Sequence, residues 1–243
     1  MFEALVRKTR QLAGDPVLRK WLLRRLTGAV PGPLPFTPHR PPYLMGVPGP
    51  DGVDLAPSEP FKPLAAPAPT EPIDLPLPGG PLTLRPGDEA GLFGRSFADI
   101  EMLLALHRFA WLPLVPEAGR ASWAQALWDV WRRSHGEPGT GWAWHPYTAA
   151  ERAINILDLA GTHGLPEPAD ETIGLLARHA EAIYGQLEYF GEHNTSNHLS
   201  NNGRGLYRLG LELGLPWAAE TGARILEEEA GRIFRPSGVL GEG

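Results

Sequence analysis

The sequence lacks cysteine altogether, so disulfide bonds and thiolate metal ligands are excluded. It also lacks a basic excess, because 22 Lys and Arg stand against 28 Asp and Glu for a formal net charge of −6. A chain with no cationic surplus to neutralise phosphates is not expected to bind nucleic acid. A few local arginines or histidines could still form a pocket for an acidic ligand.

Long apolar runs are missing as well. No stretch approaches the ~20 residues that a membrane-spanning helix needs, so we expect no integral membrane segment. The start, "MFEALVRKTRQLAGDPVLRKWLLRRLTG", has neither the apolar core nor the cleavage site of a secretory signal, which favours a cytoplasmic protein. We predict a basic amphipathic helix over 1–30, which is either an ordinary surface helix or one that contacts a membrane or a partner.

Proline is abundant, but 18 of the 27 prolines fall between positions 31 and 86. Proline lacks an N–H group and fixes φ, so this part of the chain cannot form a continuous helix or a central strand. We predict an extended segment with turns over 31–95 that wraps over the domain after it. Residues 79–89, "GGPLTLRPGDE", could hold one short strand or a hairpin.

From residue 96 onward, apolar side chains recur at helical spacing. The pattern predicts six helices of about 14 to 22 residues, joined by short links that contain Gly or Pro. Short links favour helical hairpins, so we predict an all-α domain over 96–243 that curls into a toroid or a superhelix. The second helix, in "ASWAQALWDVWRRSHG", carries three tryptophans on one stripe.

The stretch "EHNTSNHLSNNGRGLYRLGL" crowds short polar side chains just ahead of a helix. A cap at one of residues 194–196 would place Asn197 and His198 in the first turn, where unpaired N–H groups and the helix dipole favour an anion. The alternative is that the asparagines are caps and the histidines are surface or core residues. His193 and His198 are five apart, which is not the spacing of two metal ligands on a helix face, so no metal or other cofactor is expected.

Four glycines follow in the same helix and its end, at positions 203, 205, 210 and 214. Each glycine inside a helix costs about 1 kcal/mol relative to alanine. Their repetition predicts a close backbone approach by a neighbouring helix or by a ligand.

"SNHLSNNGRGLYRLGL" resembles the Asn-His motif in the N-terminal helical domain of the heparinase II/III family, which is related to alginate lyases. "LLALHRFAWLPL", "WHPYTAAERAINILDLA" and "LEYFGEHNTSNHL" are similar to further segments of that domain, in the same order. The resemblance implies an incomplete α/α toroid over 96–243, followed in the family by a β-sandwich. "RIFRPSGVLGEG" looks like the segment before the family's catalytic tyrosine, with Ser237 in place of an Asp. We therefore expect a toroid truncated at its C-terminal end, in an N-terminal portion of a longer enzyme.

The resemblance implies β-elimination in a uronic-acid-containing polysaccharide, the acidic partner of this chain, and relatives of the family are often periplasmic. Asn197 would neutralise the uronate carboxylate, and His198 would assist it or act as the base. Asn202 and Arg204 would orient or bind the substrate, or pack structurally. Neither Tyr189 nor Tyr207 lies at the position of the catalytic tyrosine.

Other residues upstream have two interpretations each. Arg152 could form an ion pair with Glu188 or reach the uronate. Trp142, Trp144 and Tyr147 could stack on sugar rings or fill the core. Two alternatives to a lyase remain: a non-catalytic helical module that binds an anionic glycan, and a helical scaffold for protein contacts.

Overall fold

The computed structural model describes residues 13, 19, 23, 26–27, 40–50, 55–57, 59–97, 99–190 and 197–233. The predicted amphipathic helix of 1–30 falls almost wholly outside these residues. The candidate caps at 194–196 and Ser237 lie outside them too.

Six α-helices follow one another in the described residues from 99 to 233, which confirms the predicted all-α class. They are α1 (Ile100–His107), α2 (Glu117–His135), α3 (Pro146–Thr162), α4 (Ala169–Gly185), α5 (Asn197–Leu213) and α6 (Pro216–Ile233). Helix α5 packs against α3, α4 and α6, so it lies at the centre of this set. None of the helices in the described ranges is long and apolar enough to cross a membrane.

The first helix is shorter than the spacing over 96–111 predicts. The Asp99 side chain accepts a hydrogen bond from the Glu101 N–H at 2.9 Å, which caps the helix at its first turn. At the other end, Phe109 adopts a positive φ of 55°, which takes the chain out of helical geometry. In α2 the backbone of Ala118 and Gly119 is not helical, so the regular part of that helix begins after them.

Backbone hydrogen bonds hold the proline-rich segment against the link between α3 and α4. Leu64 N donates to Leu165 O at 2.8 Å, and Leu165 N donates to Lys62 O at 2.7 Å. A short antiparallel hairpin joins β1 (Ile73–Leu75) and β2 (Leu82–Leu84), with Ile73 opposite Leu84 and Leu75 opposite Leu82. Residues 79–89 therefore hold one short strand, the first of the two predicted alternatives, and its partner strand precedes residue 79.

One core combines side chains from the helices and from this segment. Leu44, Leu75 and Leu84 of the segment are fully buried in the same cluster as the helical residues. The stripe of α2 forms its aromatic centre with Trp123, Leu127, Trp128 and Trp131, all buried as their spacing predicts. The proline-rich segment thus contributes to the stability of the helical domain.

The glycines of α5 mark close approaches of neighbouring helices. A Cβ added at Gly205 would lie 2.7 Å from the Cβ of Ala150 in α3, and one added at Gly203 would lie 2.7 Å from a methyl group of Ile225 in α6. At Gly210 the added atom would lie 2.6 Å from the Cα of Ala219 in α6. The predicted backbone approach is confirmed, and its partner is a helix.

Replacing Gly210 by alanine should lower the free energy of unfolding by about 1 to 3 kcal/mol, because the added methyl group meets backbone that cannot move aside as a side chain would. Gly174→Ala in α4 is the matched control, since nothing lies within 4 Å of its added Cβ. That control should stabilise the chain by up to about 1 kcal/mol. Urea unfolding followed by circular dichroism measures the free energy of unfolding of both variants. Equal changes in that free energy for Gly210→Ala and Gly174→Ala would contradict the close contact at Gly210.

Candidate functional site

Asn197 and His198 are the first two residues of α5, and both are partly exposed. The side chain of His198 is 45% exposed. Neither residue is sealed in the core, so both can meet a molecule from solvent. Their neighbours come from the start of α3 and from the segment that follows α4.

A buried carboxylate holds His198 in place. Glu188 Oε1 accepts a hydrogen bond from His198 Nδ1 at 2.7 Å, and Glu188 Oε2 accepts one from Asn202 Nδ2 at 3.1 Å. The Glu188 backbone N–H in turn donates to Asn202 Oδ1 at 3.0 Å. Because a carboxylate can only accept, the proton of the neutral imidazole lies on Nδ1, and Nε2 is its basic nitrogen.

Asn202, a predicted substrate-binding residue, is fully buried. The oxygen and the nitrogen of its side-chain amide both form hydrogen bonds with Glu188. Its observed role is therefore to fix the carboxylate that orients His198. A polysaccharide cannot reach it in this conformation. The structural packing that the sequence left open as an alternative is what the contacts favour.

His145 is a second histidine at the same carboxylate. It precedes α3, and its Nε2 lies 3.6 Å from Glu188 Oε1. Burial lowers the pKa of His145, and the nearby Glu188 charge only partly opposes that effect. The ring of His145 is therefore neutral at neutral pH. The Glu188 carboxylate interacts more closely with His198, which lies at the shorter distance.

Tyr147, in the first turn of α3, lies beside His198 with ring centroids 4.6 Å apart. The Arg108 guanidinium stands over the same ring at 4.8 Å. Burial, followed by the negative charge of Glu151, raises the pKa of Tyr147, so its hydroxyl keeps its proton at neutral pH. Asn201 Nδ2 donates to the Tyr147 carbonyl at 3.2 Å and fixes the start of α3 to α5.

Arg204 lies to one side of the site, on the exposed face of α5. It pairs with Glu151 of α3 at 2.6 Å, and about half of its side chain remains exposed. From that position Arg204 can bind an anionic ligand if its ion pair with Glu151 breaks. An exposed ion pair of this kind contributes about 1 kcal/mol or less.

The predicted ion pair between Arg152 and Glu188 is wrong. Arg152 is fully buried: its Nε donates to His179 Nε2 at 2.8 Å and its Nη1 to the His107 carbonyl at 2.9 Å. Its guanidinium also lies 3.8 Å from the centre of the Trp131 ring. Five residues after Tyr147, it points about 140° away around the helix, towards the core. It cannot contact a polysaccharide from there.

Trp144 is likewise a core residue, 3% exposed, with its indole N–H donated to the His135 carbonyl at 2.7 Å. Of the two tryptophans that precede α3, Trp142 is the one at the surface. The interpretation of Trp144 as a sugar contact is therefore corrected.

Three features of the site were not predicted from the sequence: the presence of His145, the presence of Arg108 and the orienting role of Glu188. The signals were weak, since Glu188 lies ten residues before His198 in the sequence. Across the described ranges, no cluster of three or more histidine or acidic side chains is arranged to hold a metal ion.

Together these residues form an oriented imidazole, a protonated phenol and amide groups at a helix start, all within one partly exposed patch. Such a set can move a proton and bind a carboxylate. No family model, no curated protein and no solved structure matches the chain.

Proposed function

We propose that this chain is the helical part of a polysaccharide lyase, arranged as an incomplete α/α toroid, that cleaves a uronic-acid-containing glycan by β-elimination. The observation that carries the proposal is the pair of Glu188 and His198 at the exposed start of α5, with Tyr147 at its side. A carboxylate that accepts a hydrogen bond from Nδ1 puts the basic lone pair of the imidazole on Nε2, the nitrogen at which it can take a proton.

Neutralisation of the uronate carboxylate is the first requirement of the reaction. The C5 proton of a uronic acid is very weakly acidic while the neighbouring carboxylate is anionic. The Asn197 amide and the backbone N–H groups at the start of α5 would donate hydrogen bonds to that carboxylate. These donors stabilise the negative charge that develops there when the proton leaves.

His198 would take the C5 proton on Nε2. The electron pair of the C5–H bond then forms the C4–C5 double bond, and the bond between C4 and the glycosidic oxygen breaks. Glu188 stabilises the imidazolium that results, because its carboxylate already accepts the hydrogen bond from Nδ1.

The departing oxygen needs a proton, and Tyr147 would supply it. Its hydroxyl stays protonated at neutral pH because burial and Glu151 raise its pKa. A phenol in that state gives its proton only to a strong base, and the alkoxide of a departing sugar is one. Proton transfer from His198 to the phenolate, directly or through water, restores both groups.

The test is direct. The protein is incubated with alginate, hyaluronate and heparan sulfate, and the ultraviolet absorbance of the unsaturated uronate product is followed. We expect absorbance to rise with at least one polymer and not with the same polymer after its carboxylates are reduced to alcohols, since reduction removes the activation of C5–H.

No absorbance with any uronate polymer would contradict the proposal. Binding of a polymer without product would instead indicate the non-catalytic glycan-binding module, which needs the same donors but no acid or base.

A further inference from the structure

Trp142 differs from the other tryptophans of the described residues. Six of those seven are buried at 5% exposure or less, whereas Trp142 is 50% exposed. A tryptophan side chain carries a large apolar surface that folding ordinarily buries. An exposed indole at a site rich in polar groups is typical of a surface that contacts a ligand.

The turn that carries Trp142 is firmly held. It is a single turn of 3-10 helix, Trp142–Trp144, immediately before α3. Trp144 anchors it through its burial and through the hydrogen bond from its indole N–H to the His135 carbonyl. Because the turn is already ordered, binding of a ligand at Trp142 need not order the rest of the turn, and that entropy loss is avoided.

Trp142 is connected to the catalytic pair through His145. The rings of Trp142 and His145 lie 5.5 Å apart at 35°, and those of His145 and His198 lie 6.4 Å apart. These two steps place the Trp142 ring within about 12 Å of the His198 ring. A short oligosaccharide that reaches His198 can therefore extend to Trp142.

Space and charge at this position suit a sugar ring. Cβ atoms added at Gly139 and Gly141, just before the turn, would have nothing within 4 Å, so the approach on that side is open. His145 is neutral because burial lowers its pKa, and the indole has no charge. Such a surface offers no positive charge to a carboxylate. It suits the C–H face of a pyranose ring.

We infer that Trp142 is a stacking platform for a second sugar ring of the glycan, next to the uronate that is bound at Asn197 and His198. The identity of the ligand rests on the proposed function, whereas the position of the platform rests on the exposure of Trp142 and its contact with His145. The base would act on one ring while the platform holds its neighbour in register.

The experiment measures binding apart from catalysis. Uronate oligosaccharides of increasing length, from alginate and from hyaluronate, are titrated by calorimetry into the full chain with His198→Ala, which does not consume them. We expect Trp142→Ala in that background to weaken the binding of the longer oligosaccharides about tenfold and that of a monosaccharide hardly at all. Trp142→Phe should retain most of the affinity.

Leu211→Ala is the matched control. It truncates another half-exposed apolar side chain, 48% exposed and about 20 Å further along α5, and should leave the affinity unchanged. In the active protein, Trp142→Ala should raise KM for polymer with kcat unchanged.

The outcomes separate the two proposals. If product forms but Trp142→Ala changes neither the oligosaccharide affinity nor KM, the platform is overturned and the lyase stands. Trp142-dependent binding without product from any polymer overturns the lyase and supports the platform. A chain that binds none of the oligosaccharides overturns both.

Discussion

His198→Ala should lower kcat for uronate elimination by about 10²- to 10⁴-fold, the range that a positioned general base contributes. The loss falls on kcat because the base acts in the transition state, whereas the Asn197 amide and the start of α5 still hold the substrate. Steady-state rates of ultraviolet absorbance, with a fold check by circular dichroism, measure the effect. The variant should fold, since His198 is half exposed.

Two further variants test the roles around His198. Glu188→Gln keeps the shape of the site, but it replaces one of the two acceptor oxygens by an NH2 group and removes the charge that stabilises the imidazolium, so kcat should fall while KM changes little. Asn197→Ala should abolish activity as well, because the uronate carboxylate then lacks its neutral donor.

His163→Ala provides the control for histidine removal as such. His163 directly follows α3, and its partly buried side chain pairs with the exposed Glu117. Its loss should leave both kinetic constants unchanged. A His198→Ala variant as active as His163→Ala would remove His198 from the mechanism.

Acid should destabilise the fold through the histidines that surround Arg152. Burial, followed by the charges of Arg152 and His135, lowers the pKa of His107 to about 3. The pKa of His179 is also lowered, by burial first and by Arg152 next. His135 shifts in the same direction for the same two reasons. Protonation of any of them would place a second positive charge beside a buried guanidinium.

The sign of the effect follows from proton uptake. Histidines of the unfolded chain titrate near pH 6.5, so below that pH the unfolded chain binds more protons than the folded one. Stability is therefore complete above about pH 6.5 and is lost as the pH falls towards 3. Each pH unit costs about 1.4 kcal/mol per histidine, so His107 alone removes roughly 2 kcal/mol between pH 6.5 and 5. The other two add to that loss.

Urea unfolding at a series of pH values measures this loss. His107→Asn is the informative variant, because the amide oxygen can accept the hydrogen bond that Trp131 Nε1 donates to His107 Nδ1 at 3.1 Å, yet it does not titrate. The variant should lose about 2 kcal/mol less than the parent over the same pH interval. If the free energy of unfolding falls equally steeply with falling pH in parent and variant, His107 is not the group that titrates.

Helical spacing in the sequence was sufficient to predict the all-α class, the positions of the six helices and the buried stripe of α2. The concentration of prolines likewise predicted an extended segment with turns. These features are local, because the periodicity of apolar residues records which side of an element avoids water. The glycines of α5 predicted a close backbone approach in the same way, through the cost that a helix bears for each of them.

Tertiary structure alone decided which side chains meet. Asn197 and His198 were marked by their place at a helix start, but their partners lie some fifty residues earlier, with Tyr147 in the first turn of α3 and His145 just before that helix. Arg152 and Trp144 looked equally suited to a ligand in the sequence, yet both face the core, while Trp142 faces solvent. Spacing along a helix fixes the angle between two side chains but not the neighbour that either one faces, since that depends on how separate helices pack. The buried position of Glu188, which orients His198, therefore follows only from the packing of α5 against the segment after α4.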